Sequence, residues 1–315
     1  MKVAVSGSTG FVGSYLLESL YGFDCIAIGR RKPRGLDSSH FFDASIGVNT
    51  DYSAALTNVD VIIHCAARVH VMNDLAENPL EAFREVNTFG TLNLAQQAAE
   101  SGAKRFIYIS SIKVNGEETQ LDHPFTAFDQ RSPEDAYGQS KSEAEEQLLK
   151  LANETGMEVV IIRPPLVYGP GVKANFASLM KLVSKGVPLP FGLIKSNRRS
   201  LVSVINLVDL VVTCINHPKA ANQVFLVSDN HDLSTAEMVW LMANGLGVGS
   251  RMLPVPTFFF SLLGRLFKKE DVINRLIGNL QVDITHTKQQ LGWQPPQKVE
   301  DAFRETALDF LKNEF

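Results

Sequence analysis

The chain is short of cysteine, of net charge and of long apolar runs. Cys25, Cys65 and Cys214 are its only cysteines, and they lie far apart with no metal-ligand spacing. That excludes a disulfide framework and a cysteine-built metal centre. The three read as small buried residues in a reducing compartment. A net charge of −4 on 315 residues gives no electrostatic reason to expect a nucleic acid or a membrane as partner. The most apolar stretch, "LPVPTFFFSLLGRLF" at 253–267, contains two prolines and an arginine. It is too short to cross a bilayer and reads as a packed or partly exposed helix, with a membrane-surface helix as the alternative. A strand pattern starts at residue 2, which leaves no room for a leader segment. Internal repeats and low-complexity tracts are missing too. The expectation is a cytoplasmic globular protein with no integral membrane segment.

What is present is alternation. Short apolar runs at 2–6, 25–29, 40–44, 59–67, 105–111 and 157–165 are separated by longer helical patterns. Runs that are apolar at every position predict strands buried on both faces, hence a parallel sheet. Strands that alternate with helices predict βαβ units. The fold class is therefore α/β, a doubly wound parallel sheet. "LVSVINLVDLVVTCINH" and "QVFLVSD" read as a return to that sheet. The sheet domain spans residues 1–168 plus about 204–228. A smaller, discontinuous and mostly α-helical second domain takes about 169–203 and 229–296, and 297–315 is a final amphipathic helix.

The first strand, "KVAVS", runs straight into "GSTGFVG" and a helical pattern. Gly7, Gly10 and Gly13 allow a tight turn and let backbone N–H groups at the helix N-terminus approach a pyrophosphate. Gly7, Thr9, Gly10, Phe11, Val12 and Gly13 are thus candidate cofactor contacts. The end of the second strand decides the ribose. There "CIAIGRRKPRG" offers Arg30, Arg31 and Arg34 and no acid, which favours NADP(H) and leaves NAD(H) possible.

"AYGQSK" places Tyr137 and Lys141 four residues apart at a helix start, on one face. A tyrosine ordinarily titrates near 10, and a neighbouring ammonium favours the phenolate. Lys141 can supply that charge, as can a cationic nicotinamide. Ser111, at the end of the preceding strand, can hydrogen-bond the reacting oxygen. Ser111, Tyr137 and Lys141 form a set able to move a proton while a nicotinamide moves a hydride.

The G-x-x-G-x-x-G spacing and the Ser-Tyr-Lys set resemble the extended short-chain dehydrogenase/reductase superfamily, the NAD-dependent epimerase/dehydratase family. The resemblance implies a Rossmann sheet. It also places Asp43 on the adenine, Ala66 and Ala67 of "HCAAR" against a flat-lying cofactor, and Asn87 of "EVNTFGTLNL" and Pro164 of "RPPLVYGPG" around it. It further implies a UDP-sugar substrate, with Asn175 and Arg199 on the diphosphate and Leu189 to Phe191 over the uracil. A homodimer through a four-helix bundle of 80–101 and 133–155 follows from the same resemblance.

Some residues depart from the family pattern. Leu166 stands where many relatives carry a phosphate-binding asparagine, and Asn115 replaces a tyrosine. Ile112 and Lys113 replace the Asp-Glu pair of the sugar 4,6-dehydratases, which argues against elimination chemistry. Leu280 stands where residue size in relatives admits or excludes a 2-acetamido group. The leading expectation is an enzyme that reduces a UDP-4-keto-6-deoxy-hexose, 2-acetamido or not, in surface polysaccharide biosynthesis. The alternatives are a UDP-glucose or UDP-N-acetylglucosamine 4-epimerase, a non-catalytic NADP(H)-binding sensor and a structural dimer module.

Overall fold

The computed structural model describes residues 1–69, 78–266 and 270–314. Phe267, the last residue of the apolar stretch read above, lies outside them. Seven strands form one sheet: β1 (Lys2–Ser6), β2 (Asp24–Gly29), β3 (Phe41–Asp43), β4 (Val61–His64), β5 (Arg105–Ile109), β6 (Glu158–Arg163) and β9 (Gln223–Leu226). Between the last two in sequence, β7 (Leu166–Tyr168) and β8 (Leu201–Ser203) make a separate parallel pair. The large sheet runs β3-β2-β1-β4-β5-β6-β9, and every pairing is parallel. The order reverses between β1 and β4, which opens a crevice at their C-terminal ends.

The two-sided burial has a direct cause. Val3, Val5, Ile63, Ile107 and Ile162 point to one face, where they meet the helices Phe11–Ser19 and Val204–Asn216. Ala4, Ile62, Phe106, Tyr108 and Ile161 point to the other, against the helices Thr91–Glu100 and Ala136–Thr155. Period-two side chains are apolar on both faces because helices cover both. A third cluster gathers around Tyr168, Phe176, Met180 and Phe303. It joins the helices Ala174–Ser184, Thr235–Gly245 and Val299–Glu314. The stretch from Leu280 to Trp293 packs instead on the first face of the sheet.

Two expectations are corrected. Residues 201–217 do not return to the main sheet: Leu201–Ser203 pairs with β7, and Val204–Asn216 is a helix. The Ser203 side chain caps that helix by accepting from Asn206 N–H, and its buried residues Val204, Leu207, Val208, Val211 and Ile215 repeat at helical spacing. The helix expected over 80–101 is interrupted by a π-helical segment, Glu85–Gly90. Gly90 lies so close to the loop beside it that a Cβ would stand 2.9 Å from Ile46 Cγ2.

His64 ends β4 in complete burial. Its Nδ1 hydrogen-bonds Ser6 Oγ at 2.6 Å and its Nε2 Thr91 Oγ1 at 2.9 Å. Burial, aided by Lys141, pushes its pKa down from 6.5 to about 3. Between those values the unfolded chain binds a proton that the folded protein refuses, so stability falls as pH drops through that window. The unfolding free energy of wild type minus that of His64→Gln should therefore decline from pH 6.5 toward pH 3. Denaturant titrations across that range check it, and parallel curves for the two proteins would refute it.

Candidate active site

The glycine turn closes the crevice from below. Gly7 has φ +73°, and a Cβ on it would lie 2.6 Å from Ala66 N. A Cβ on Gly13 would lie 2.2 Å from Gly7 O. These two glycines are demanded by backbone packing alone. Gly10 differs: it is exposed, has ordinary φ, and caps the helix Phe11–Ser19 with no side-chain hydrogen bond. That first turn holds no acidic residue, so its N–H groups and dipole remain available to an anion. Ser8 Oγ, beside them, is buried without a partner. This cradle fits a dinucleotide pyrophosphate. Thr9 is exposed at the turn, while Phe11 and Val12 pack partly against the core. Arg30 and Arg31 follow β2 and are exposed, as is Asp43, which pairs in register with Gly29 at the end of β3. Ala66 and Ala67 follow β4, half-buried.

The candidate catalytic residues lie after β5 and at the start of the helix Ala136–Thr155. Ser111 follows β5, and its Oγ accepts from Lys113 N–H at 3.3 Å. Tyr137 and Lys141 share the first turns of Ala136–Thr155. Asp135 caps that helix, accepting from Gly138 N–H at 2.6 Å. Lys113 Nζ bridges Asp135 and Glu117 at 2.5 Å each. Phe83 meets the Tyr137 ring edge-on at 6.0 Å between centroids.

Burial acts against the lowering of the tyrosine expected from its neighbours. Burial pushes the Tyr137 phenol above its ordinary value, with Asp135 adding to the effect. Burial pushes the Lys141 ammonium down from 10.5 to about 7. Lys141 Nζ donates to Ile109 O at 2.8 Å and lies 4.4 Å from the centre of the Tyr108 ring, but 6.0 Å from that of Tyr137. Desolvation therefore outweighs the lysine's charge at the tyrosine.

Two further candidates are held by the protein itself. Asn87 is fully buried in the π-helical segment, and its amide is held within the protein. Its Oδ1 accepts from Arg68 N–H at 2.8 Å, and its Nδ2 donates to Arg68 O and Ser140 Oγ, each at 3.0 Å. It braces the loop after β4 against the helix that bears Tyr137. Pro164 is buried, and its carbonyl accepts from Ile112 N–H at 2.9 Å.

A cavity of about 350 Å³ lies against the third cluster. It brings together Asn175, Phe191, Arg199, Leu166 and Leu280. Leu189 does not line it; that residue is buried and bridges to Met252. Arg275 does line it and was missed by the sequence reading. Burial lowers the Arg199 guanidinium from its ordinary value, a shift that a bound anion would oppose.

A buried network behind Ser111 was missed as well. Glu145, fully buried, accepts from Ser110 Oγ at 2.5 Å and pairs with Arg163, whose Nη2 lies 2.5 Å from Glu145 Oε2. Arg163 Nη1 donates to Asn115 Oδ1 at 2.9 Å. Asn115, at the position where the family pattern has a tyrosine, thus accepts from a buried guanidinium. The only warning in the sequence was one acid among several on an otherwise ordinary helix.

Comparison with known proteins is consistent with this geometry. The model of the NAD dependent epimerase/dehydratase family matches residues 3–228. A Vibrio cholerae protein named UDP-glucose 4-epimerase is 57% identical over 314 residues, 99% of this chain and 96% of its own. Two solved structures share the fold. UDP-glucuronic acid 4-epimerase from Bacillus cereus, in complex with NAD, has a TM-score of 0.80 at 19% identity and covers both chains fully. RMD from Pseudomonas aeruginosa, complexed with NADPH, has a TM-score of 0.71 at 21% identity and covers 99% of each. Among the described residues no helix is long and apolar enough to cross a membrane. The chain is a nicotinamide-dependent enzyme and belongs to the NAD dependent epimerase/dehydratase family.

Proposed function

We propose that the protein is a UDP-hexose 4-epimerase. One observation carries this reading: the Vibrio cholerae protein named UDP-glucose 4-epimerase is 57% identical across nearly the whole chain. It displaces the 4-keto-sugar reductase favoured from the sequence. Elimination chemistry stays disfavoured, because Ile112 is buried and Lys113 is held by Glu117 and Asp135.

In this reading Asn175, Arg199 and Arg275 hold the diphosphate in the cavity, and Phe191 covers the base. Arginine suits that task because its donor fork grips two oxygens. Ser111 Oγ donates to the C4 oxygen. Tyr137, as the phenolate, would take the C4 hydroxyl proton to become the phenol and later return that proton; a positive charge brought beside it opposes the burial that otherwise keeps it neutral. Lys141, anchored on Ile109 O, sets the potential at the phenol. A bound nicotinamide dinucleotide supplies the hydride acceptor and donor. Gly10 and the first-turn N–H groups hold its pyrophosphate, with Arg30, Arg31 and Asp43 around the adenosine end. The third cluster serves as the substrate lobe. A homodimer through Pro79–Glu100 and Ala136–Thr155 is part of the same reading.

A second reading keeps the reductase, on the observation that β2 ends in exposed Arg30 and Arg31 with no acid. UDP-glucose and UDP-N-acetylglucosamine, each supplied without reductant, separate the two. The epimerase gives the C4 epimer with no net change in dinucleotide absorbance. Oxidation of added NADPH by a UDP-4-keto-sugar, with no epimer formed from either hexose, would establish the reductase.

Tyr137→Phe should lower turnover by about 10²- to 10⁴-fold, the usual worth of a general acid–base group, while cofactor affinity stays near wild type. Stopped assays and cofactor titration check this pair of outcomes; near-normal turnover would remove Tyr137 from the mechanism.

Arg30→Ala should weaken NADPH by roughly tenfold or more, the scale of a charge-assisted contact, and leave NADH unchanged. Fluorescence titration of both dinucleotides reads it. Equal wild-type affinity for the two would refute a role for Arg30 on a 2′-phosphate.

A further inference from the structure

Residues 171–208 and 238–269 contain no aspartate or glutamate and carry ten cations between them, in a chain whose net charge is −4. The whole-chain average therefore conceals a basic lobe on an acidic remainder. Backbone hydrogen bonds stitch the two stretches together. Leu189 N–H donates to Arg251 O at 2.8 Å, Leu253 N–H to Leu189 O at 2.7 Å, and Gly192 N–H to Leu253 O at 3.0 Å.

The helix Thr257–Leu266 stands on this seam with two unlike faces. Phe260 turns inward, 6% exposed, and stacks on Phe191 with centroids 6.0 Å apart. Phe258 and Leu262 turn outward at 61% and 60% exposure, and Phe259 is also exposed, its ring 4.0 Å from that of Phe258. Leu193 and Leu253, next to the stitched backbone, are exposed as well. Arg265 lies seven residues after Phe258, hence on the same helical stripe, and it is exposed, as are Lys195 and Arg251. Single exposed apolar residues are ordinary; a contiguous set of this kind is not.

We propose that this face docks the protein on an anionic lipid surface, with the helix Thr257–Leu266 lying in the headgroup plane. Aromatic and aliphatic side chains on one face with cations beside them are what an interfacial helix requires. Ten residues span too little to cross, so the helix lies on the bilayer. A second copy of the chain is a poorer occupant. A twofold contact through this patch would set its cations against themselves, whereas acidic phospholipids complement them. Arg265 can extend its charge to the phosphates while its stem stays with the apolar stripe. Phe191 both lines the cavity and packs on Phe260, so docking sets the cavity wall one helix away from the lipid.

Flotation of the full chain with vesicles tests this. Phosphatidylcholine vesicles are compared with vesicles containing roughly one-third phosphatidylglycerol, at low and raised salt. The protein should float with the anionic vesicles at low salt and be partly released by salt. Phe258→Ser/Phe259→Ser/Leu262→Ser should cut that partition by roughly tenfold or more without changing the thermal midpoint or cofactor binding. Arg251→Glu/Arg265→Glu, which leaves the apolar stripe intact, should lose the preference for anionic vesicles. Three results would overturn the proposal: wild type that stays unbound at low salt, a triple variant that floats like wild type, or patch variants that change only the assembly mass.

Discussion

A carboxylate with no access to water fixes the geometry of the reactive wall. Glu145 sits on the helix of Tyr137 and Lys141 and reaches the ends of two strands at once, Ser110 after β5 and Arg163 on β6. Arg131 adds a second cationic contact at 3.4 Å. Removing one partner of such a pair typically costs about 3–5 kcal/mol, because the other charge stays buried. The helix therefore cannot shift along the sheet without exposing or abandoning a charge. Ser111 is adjacent to Ser110 in the chain, so the same contact sets the distance between the serine and the tyrosine helix. Asn115 closes the arrangement by satisfying Arg163 from the following loop.

The same low-dielectric setting governs the ionisable pair. From the spacing alone, Lys141 charged beside Tyr137 should favour the phenolate. In the fold both groups are desolvated, and each moves toward its neutral form, the phenol upward and the ammonium down to about 7. His64 and Cys65, on the other side of Lys141, are pushed toward neutrality by the same burial. This wall stores little charge of its own. A positive group brought against it would stabilise the phenolate more than it could in water, since the field is screened least where water is excluded. Ionisation of the tyrosine therefore depends on the charge that lies beside it.

How much of this was legible in the sequence follows from what each signal measures. Strands β1, β4, β5 and β6 were legible because burial on both faces leaves an apolar residue at every position. The glycine turn was legible because strand, turn and helix succeed one another at once. Gly7 and Gly13 nonetheless answer to backbone packing, which the spacing does not distinguish from ligand approach. Residues 201–217 misled because an apolar run at helical period looks like a strand until Ser203 is seen as a cap. Glu145 was invisible: it stands in "SEAEEQ", where acids ordinarily mark a solvated face. Arg275 was invisible for another reason, since only tertiary folding carries it back over Arg199. Asn87 was singled out from its motif, yet its partners, the Arg68 backbone and Ser140, are set by a π-helical turn that no residue pattern announced.

The two walls of the crevice work with different kinds of charge. The glycine wall offers backbone dipoles at a helix end, fixed by a turn that tolerates no Cβ at Gly7 or Gly13. The cavity wall offers side-chain cations, Arg199 and Arg275, whose positions depend on how the third cluster sits against the sheet. An ion-pair chain joins that cavity to the reactive wall: Arg275 meets Glu117 at 3.6 Å, Glu117 meets Lys113, and Lys113 meets Asp135, which caps the helix two residues before Tyr137. An anion drawn to Arg275 competes with Glu117 for it, which leaves Glu117 more fully to Lys113 and changes the charge felt by Asp135. Asp135 is itself one of the groups that raise the Tyr137 phenol. Lys113 differs here from an acidic residue at the same point: it sets a cation against the cap, whose charge still raises the phenol.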